Sequence, residues 1–242
     1  MLHRIFFVLV AMASLAVAPA AQAQLFGGTE KTAIKEGFTF AEDEEVRIVV
    51  FRPDVSVSSL STAGIDEPNA DWTEAARRNL TESLKRAQTE KGNELIFLDE
   101  LEGADAEYLA DYQNLFSAVT GAVVVHKLFT DKLPTKKDAF DWTLGPGVSR
   151  LAEIGGGDYG LFVYTDDAYS SAGLKVMRFL MGGVPPRHIG YAGLVDLRTG
   201  DLIWINADIQ MGGDVREPDG AEKRIKQLLE GFPLRELTVS AQ

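Results

Sequence analysis

The sequence is 242 residues long and contains no cysteine, which excludes disulfides, thiolate metal sites and a cysteine nucleophile. Its 36 acidic against 24 basic residues give a formal net charge of -12. A chain this acidic is repelled by nucleic-acid phosphates and anionic lipid, so nucleic acid is not an expected partner.

The chain opens with Arg4, then an apolar stretch from Ile5 to Ala18, then Ala21-Gln22-Ala23. Small residues at Ala21 and Ala23 fit a signal-peptidase site, so residues 1–23 read as a secretory signal peptide cleaved after Ala23. An uncleaved N-terminal anchor is the alternative. The expected location is periplasmic or secreted, and loss of Arg4 leaves the mature chain more acidic still. No later stretch approaches the roughly 20 apolar residues of a membrane span. A lipid anchor at the cleavage site is excluded, because it needs a cysteine. Without disulfides the exported chain depends on its core, and its length is enough to bury one.

Residues 24–45 mix glycines with the acidic run Glu42 to Glu45 and read as a poorly ordered or peripheral lead-in, with a short edge strand at 37–41. Residues 46–230 read as a single α/β domain and 231–242 as a tail. Val46 to Phe51 is a β-branched run stopped by Pro53, the first core strand. Residues 54–68, rich in Ser, Asp and Gly but with Val55 and Val57 alternating, are either a loop or an extension of that strand. Asn69 or Asp71 can cap a helix over 72–91, whose Ala75, Ala76, Leu80, Leu84 and Ala87 share one face. Glu94 to Leu98 is the next strand, and its default pairing with the first is parallel.

A long helical pattern starts at Asp105 and runs through Leu109, Phe116, Val119 and Val123, as far as Phe129 if residues 122–125 are not a strand. A shorter helix begins near 143–146, runs through Leu151 and Ile154, and ends at Gly155-Gly156-Gly157. Residues 159–165 form a strong strand. Two further apolar runs, 191–197 and 202–209, flank Arg198-Thr199-Gly200-Asp201, the chemistry of a hairpin turn. The central place of Trp204 in the second run predicts that it is buried. A last helix over 220–229 turns Ala221, Ile225, Leu228 and Leu229 to a core. The order β-α-β-α-α-β-β-β-α predicts an α/β sandwich: a mixed sheet with helices packed on it and a long C-terminal antiparallel hairpin.

Leu194-Val195-Asp196, Thr199-Gly200 and Trp204 follow the pattern LVD-x-x-TG-x-x-x-W, and Asp158 to Val163 reads DYGLFV. These two segments resemble a group of bacterial envelope α/β proteins that includes the curli-secretion lipoprotein CsgG, the penicillin-binding-protein activator LpoB, the N-terminal domain of TolB and the GNA-type lipoproteins. The resemblance implies a non-enzymatic envelope protein working through protein contacts, as an assembly or accessory module, with no cofactor. The lipid-bearing cysteine of the lipoprotein members is missing here.

The residues offer few catalytic constellations. His126 and His188 have no second histidine or carboxylate at metal-ligand spacing. Gly155-Gly156-Gly157-Asp158 follows a helix and precedes a strand, the reverse of a phosphate loop. Asp166-Asp167, directly after a strand, reads either as an acidic turn ending it or, with His188, as the centre of a small hydrolase or ion-binding enzyme. Asp208 and Asp214 are further carboxylates with no pattern tying them to that pair. The most suggestive stretch is 168–186, where Val176, Met177, Phe179, Leu180 and Met181 cluster between flexible glycines, interleaved with Lys175 and Arg178. Adaptable Met and aromatic side chains suit a partner-binding surface, and packing on the protein's own sheet is the alternative. The expected partner is an envelope protein, with homo-oligomerisation open.

Overall fold

The computed structural model describes residues 31–40, 46–61, 64–91, 94–128, 133–136, 139–170 and 186–233. Its strands are β1 (Lys31–Ile34), β2 (Arg47–Val50), β3 (Asp54–Leu60), β4 (Asp66–Pro68), β5 (Glu94–Phe97), β6 (Tyr159–Ser170), β7 (His188–Asp196) and β8 (Leu202–Asp208). Its helices are α1 (Ala70–Lys91), α2 (Gly103–Val123), α3 (Ser149–Gly155) and α4 (Pro218–Leu228). A wider π turn, Val124–Leu128, prolongs α2, so the stretch that allowed a strand there is helical.

The strands make one mixed sheet in the order β1-β8-β7-β6-β2-β5. β6 is its spine. β2 runs parallel to the first part of β6, opposite Tyr159–Leu161, and β3 runs parallel to the rest, opposite Tyr164–Ser170. β2 and β3 are thus one extended path interrupted at 51–53, where Pro53 has no N–H to give to a ladder. Residues 54–68 are therefore strand extension, not loop: β3 folds back on the short antiparallel β4. β2 and β5 pair in parallel, as the strand–helix–strand order predicts.

Side chains alternate across the sheet, and so do the two cores. On one face Ile48, Val50, Leu161, Val163 and Leu194 pack with Ala76, Leu80 and Leu84 of α1 and Ala221, Ile225 and Leu228 of α4. On the other, Val49, Phe51, Phe162 and Ile205 pack with Phe116 and Val123 of α2 and Leu151 of α3. Because both faces are covered, β6 reads as a continuous apolar run from Tyr159 to Val163. Gly193 faces α2, and a Cβ there would meet the Phe116 ring at 2.5 Å, so this close approach of helix to strand requires glycine.

The C-terminal hairpin forms as its residues dictate. Asp196 Oδ1 accepts from the N–H groups of Arg198 (2.8 Å) and Thr199 (3.3 Å), and Gly200, at φ 81°, donates to the Asp196 carbonyl at 2.8 Å. Trp204 is fully buried.

Two expectations are corrected. The edge strand lies at Lys31–Ile34, antiparallel to β8, and not at 37–41. Residues 38–40 instead fold inward, where Phe38 and Phe40 make edge contacts with the Tyr159 ring at 6.1 and 5.4 Å. Second, Asp166-Asp167 does not end its strand: β6 continues to Ser170.

The cap of α1 is Asn69, whose Oδ1 accepts from the Trp72 N–H at 2.9 Å, while Asp71 sits in the first turn. Asn69→Ala is expected to lower stability by about 1 kcal/mol and Asn69→Asp to leave it nearly unchanged, measured by denaturant unfolding. Equal stability of the alanine variant would show that the cap adds nothing.

Candidate functional site

The antiparallel pairing of β6 and β7 puts Asp167 directly opposite His188. Their side chains share the α1/α4 face, and His188 Nδ1 lies 2.7 Å from Asp167 Oδ1. The carboxylate accepts only, so this nitrogen carries the proton and donates. A third member comes from α4. Its core stripe Ala221, Ile225, Leu228 includes Arg224, which is fully buried. Arg224 Nη1 and Nη2 donate to the two Asp167 oxygens at 3.0 and 2.9 Å. Its Nε and Nη2 also donate to the carbonyls of Gly212 (3.1 Å) and Gly213 (3.2 Å).

Burial pushes the Asp167 carboxyl up, but hydrogen bonds from His188 and Arg224 and the guanidinium charge outweigh it and hold the group below the ordinary carboxylate range. A bidentate, fully desolvated arginine pair of this kind is a strong and specific contact.

The cluster extends towards the end of β6. The Arg216 guanidinium lies over the rings of Trp72 (4.4 Å) and Tyr169 (3.9 Å) and donates to both oxygens of Asp214, at 2.9 and 2.6 Å. Those hydrogen bonds hold the Asp214 carboxyl below its ordinary value despite partial burial. The Tyr169 hydroxyl accepts from the Val215 N–H at 3.0 Å, and burial, reinforced by the nearby Asp167 charge, raises it well above the usual phenol range. A shallow cavity of about 290 Å³ lies between Tyr169, Pro186, His188, Met211 and Arg216. The His188 side chain is 24% exposed, and its ring centre is 5.0 Å from that of Tyr169.

Asp166 does not join this group. Neighbours in a strand point to opposite faces, so its carboxylate lies on the α2/α3 side. There Arg187 donates to its two oxygens at 2.6 and 3.1 Å and reaches Asp66 at 2.8 Å. Of Asp166, Asp167 and His188, the structure brings two together and separates the third. Asp208 accepts from the Gln210 N–H at 2.8 Å, and Asp214 lines the His188 cavity but is taken up by Arg216. His126 sits in the π turn after α2. Gly156, at φ 71°, caps α3 by donating to the Ala152 carbonyl. Val176, Met177, Phe179, Leu180 and Met181 lie outside the described residues.

Sequence reasoning missed Arg224, Arg216 and Tyr169. A signal for Arg224 exists: it falls within the apolar i, i+4, i+7 stripe of α4, where a charged residue calls for a buried partner.

Among the described residues, no group of three or more His, Cys, Asp or Glu is placed to hold a metal ion, and no helix is long and apolar enough to cross a membrane. Both Asp167 oxygens are occupied by Arg224, so the His188–Asp167 pair is part of a charge-compensated clamp. It joins α4 and the 212–213 turn to the paired ends of β6 and β7.

No protein-family model matches the sequence, and no curated protein is significantly similar to it. Among solved structures the chain is similar to the PelC dodecamer from Paraburkholderia phytofirmans, at 11% identity over 85% of this chain and 99% of that one, with a TM-score of 0.39. It is also similar to the lipoprotein GNA1162 from Neisseria meningitidis, at 15% identity over 67% of this chain and 77% of that one, with a TM-score of 0.26. These likenesses are distant in both sequence and superposition, and they assign no ligand or partner to this chain.

Proposed function

We propose that the protein is exported and works at the cell envelope through protein contacts, as an assembly or accessory module of the kind the hairpin motif resembles. Its docking element on this reading is the set Val176, Met177, Phe179, Leu180 and Met181. The observation that supports it is the construction of the root from which that segment departs. β6 and β7 stay paired to Asp167 and His188, and the Ala168 N–H still reaches the Arg187 carbonyl at 2.7 Å. Each face of this root is then fastened separately, by Arg187 with Asp166 and Asp66 on one side and by Arg224 and His188 with Asp167 on the other. A stiff base reduces the ordering cost of docking whatever it carries.

The test is Phe179→Ser with Met181→Ser in the full chain. Capture of an envelope partner by the tagged protein is expected to be lost while unfolding shifts by no more than about 0.5 kcal/mol. A clear loss of stability, or intact capture by a stable variant, would overturn the docking role. Solution mass measured on the same preparation separates a foreign partner from a second copy of this chain.

A further inference from the structure

The sheet has a notch in one edge. β5 covers the outer side of β2 as far as Val50 and Phe97, and β4 covers β3 only from Ser58 onward. Between them the path through residues 51–54 has no strand outside it among the described residues. α1 flanks this gap on one face of the sheet and α2 on the other, leaving a cleft of about 650 Å³. That volume lies within the roughly 300–1,000 Å³ of small-molecule sites, and the cleft opens beyond the C-terminal ends of the parallel strands β2 and β5, where α/β sheets place ligands.

The cleft's charges do not cancel among themselves. Three of its basic residues are already paired: Arg52 with Glu100 at 2.6 Å, Arg77 with Glu74 at 2.6 Å and Lys85 with Glu82 at 3.2 Å. Arg78, Asp54 and Asp99 also line it, and none of them makes a hydrogen bond or salt bridge among the described residues. Two carboxyls therefore stand against one guanidinium, and the surplus is negative. Asp54 is half-buried at the start of β3. Burial pushes its carboxyl up, and the attraction of Arg77 offsets this only in part. Beside it Phe97, Leu98, Leu101 and Leu109 give the cleft an apolar wall.

We propose that this cleft binds a small organic cation, a primary ammonium on an aliphatic chain, with the ammonium on Asp54 and the chain along Phe97, Leu98 and Leu101. A half-buried carboxylate with no hydrogen bond weakens the fold, and a bound ammonium would supply the missing bonds and charge. The cleft shares no residue with the docking element proposed above.

The experiment titrates the full chain with n-hexylamine at neutral pH and low salt, followed by calorimetry, with 1-hexanol as the uncharged control. Saturable binding of the amine is expected, with none of the alcohol. Asp54→Asn is expected to weaken amine binding by about tenfold or more, as for one lost charged contact. The same variant is expected to unfold at the same temperature as the parent or higher, because burial of the Asp54 charge outweighs the attraction of Arg77. Equal binding of hexanol, unchanged amine binding in Asp54→Asn, or no saturable binding would each overturn the proposal. So would a loss of stability in Asp54→Asn, which would make the carboxyl a structural partner of Arg77.

Discussion

Arg224→Met is expected to destabilise the protein by about 3–5 kcal/mol, because it leaves the Asp167 carboxylate buried without its main partner. Arg224 and Asp167 have no side-chain exposure, so water cannot take over the lost bonds. The geometry also predicts how the effect depends on pH. In the parent the folded Asp167 carboxyl sits below its ordinary value. Its stabilising contribution is therefore fully present above the unfolded carboxylate pKa of about 3.9 and is lost as pH falls through the lower folded value.

In Arg224→Met the balance reverses, since burial is no longer outweighed by the guanidinium. A raised folded pKa costs stability as pH rises through it, so the variant is expected to fall furthest behind the parent at neutral pH and to regain ground on acidification. Denaturant unfolding of both proteins across the acidic range measures this directly. A constant difference at every pH would show that lost packing, not the uncompensated charge, is responsible. With Asp167→Leu as the third corner, the double variant Asp167→Leu/Arg224→Met completes the cycle. It is expected to recover much of the loss, because an apolar pair of similar volume replaces a buried ion pair at little cost. Recovery would assign the clamp to specificity of packing at the β6–β7 root more than to net stability.

The parts of the fold that rest on local chemistry were legible in the sequence. Asn69 ahead of an apolar helical stripe announced α1. Gly200, which takes a positive φ, marked where β7 gives way to β8. The apolar run in residues 159–165 announced a strand. What remained hidden was decided by partners far away in the chain. Asp166-Asp167 looked like the end of a strand because two adjacent carboxylates are costly inside a sheet. The groups that compensate them stand 21 positions away at Arg187 and 57 positions away at Arg224. β3 was only half legible, as one of two readings of residues 54–68. Its serines and Asp54 give it the composition of a loop, yet Val55 and Val57 alternate into the α1 core, and pairing with β6 supplies the ladder. The separation of Asp166 from His188 followed once β6 was known to continue, because the two-residue period of a strand then places Asp166 and Asp167 on opposite faces.

Trp204→Ala is expected to cost about 3–5 kcal/mol, the usual range for emptying a buried aromatic site. Trp204 has no exposed surface and packs in the same core as Leu194, its partner on β7, while Ile34, opposite it on β1, is exposed. The Phe232 ring meets Trp204 edge-on at 5.2 Å, which ties the segment after α4 to the same point. Alanine would remove this packing, and the sheet cannot close the gap without moving strands.

Phenylalanine separates the ring from its polar atom. The indole N–H is buried and finds no acceptor among the described residues, a defect that costs about 1–3 kcal/mol when a donor is desolvated. Trp204→Phe keeps most of the apolar contact and deletes the orphan donor, so the two effects oppose each other. It is expected to cost far less than alanine. Equilibrium unfolding of the three proteins, compared at constant m-value, gives the ordering. An alanine variant as stable as the parent would dismiss the hairpin-centred core. A phenylalanine variant as damaged as alanine would show that the indole N–H has a partner in the folded protein, and that the bond it makes outweighs the contact area of the ring.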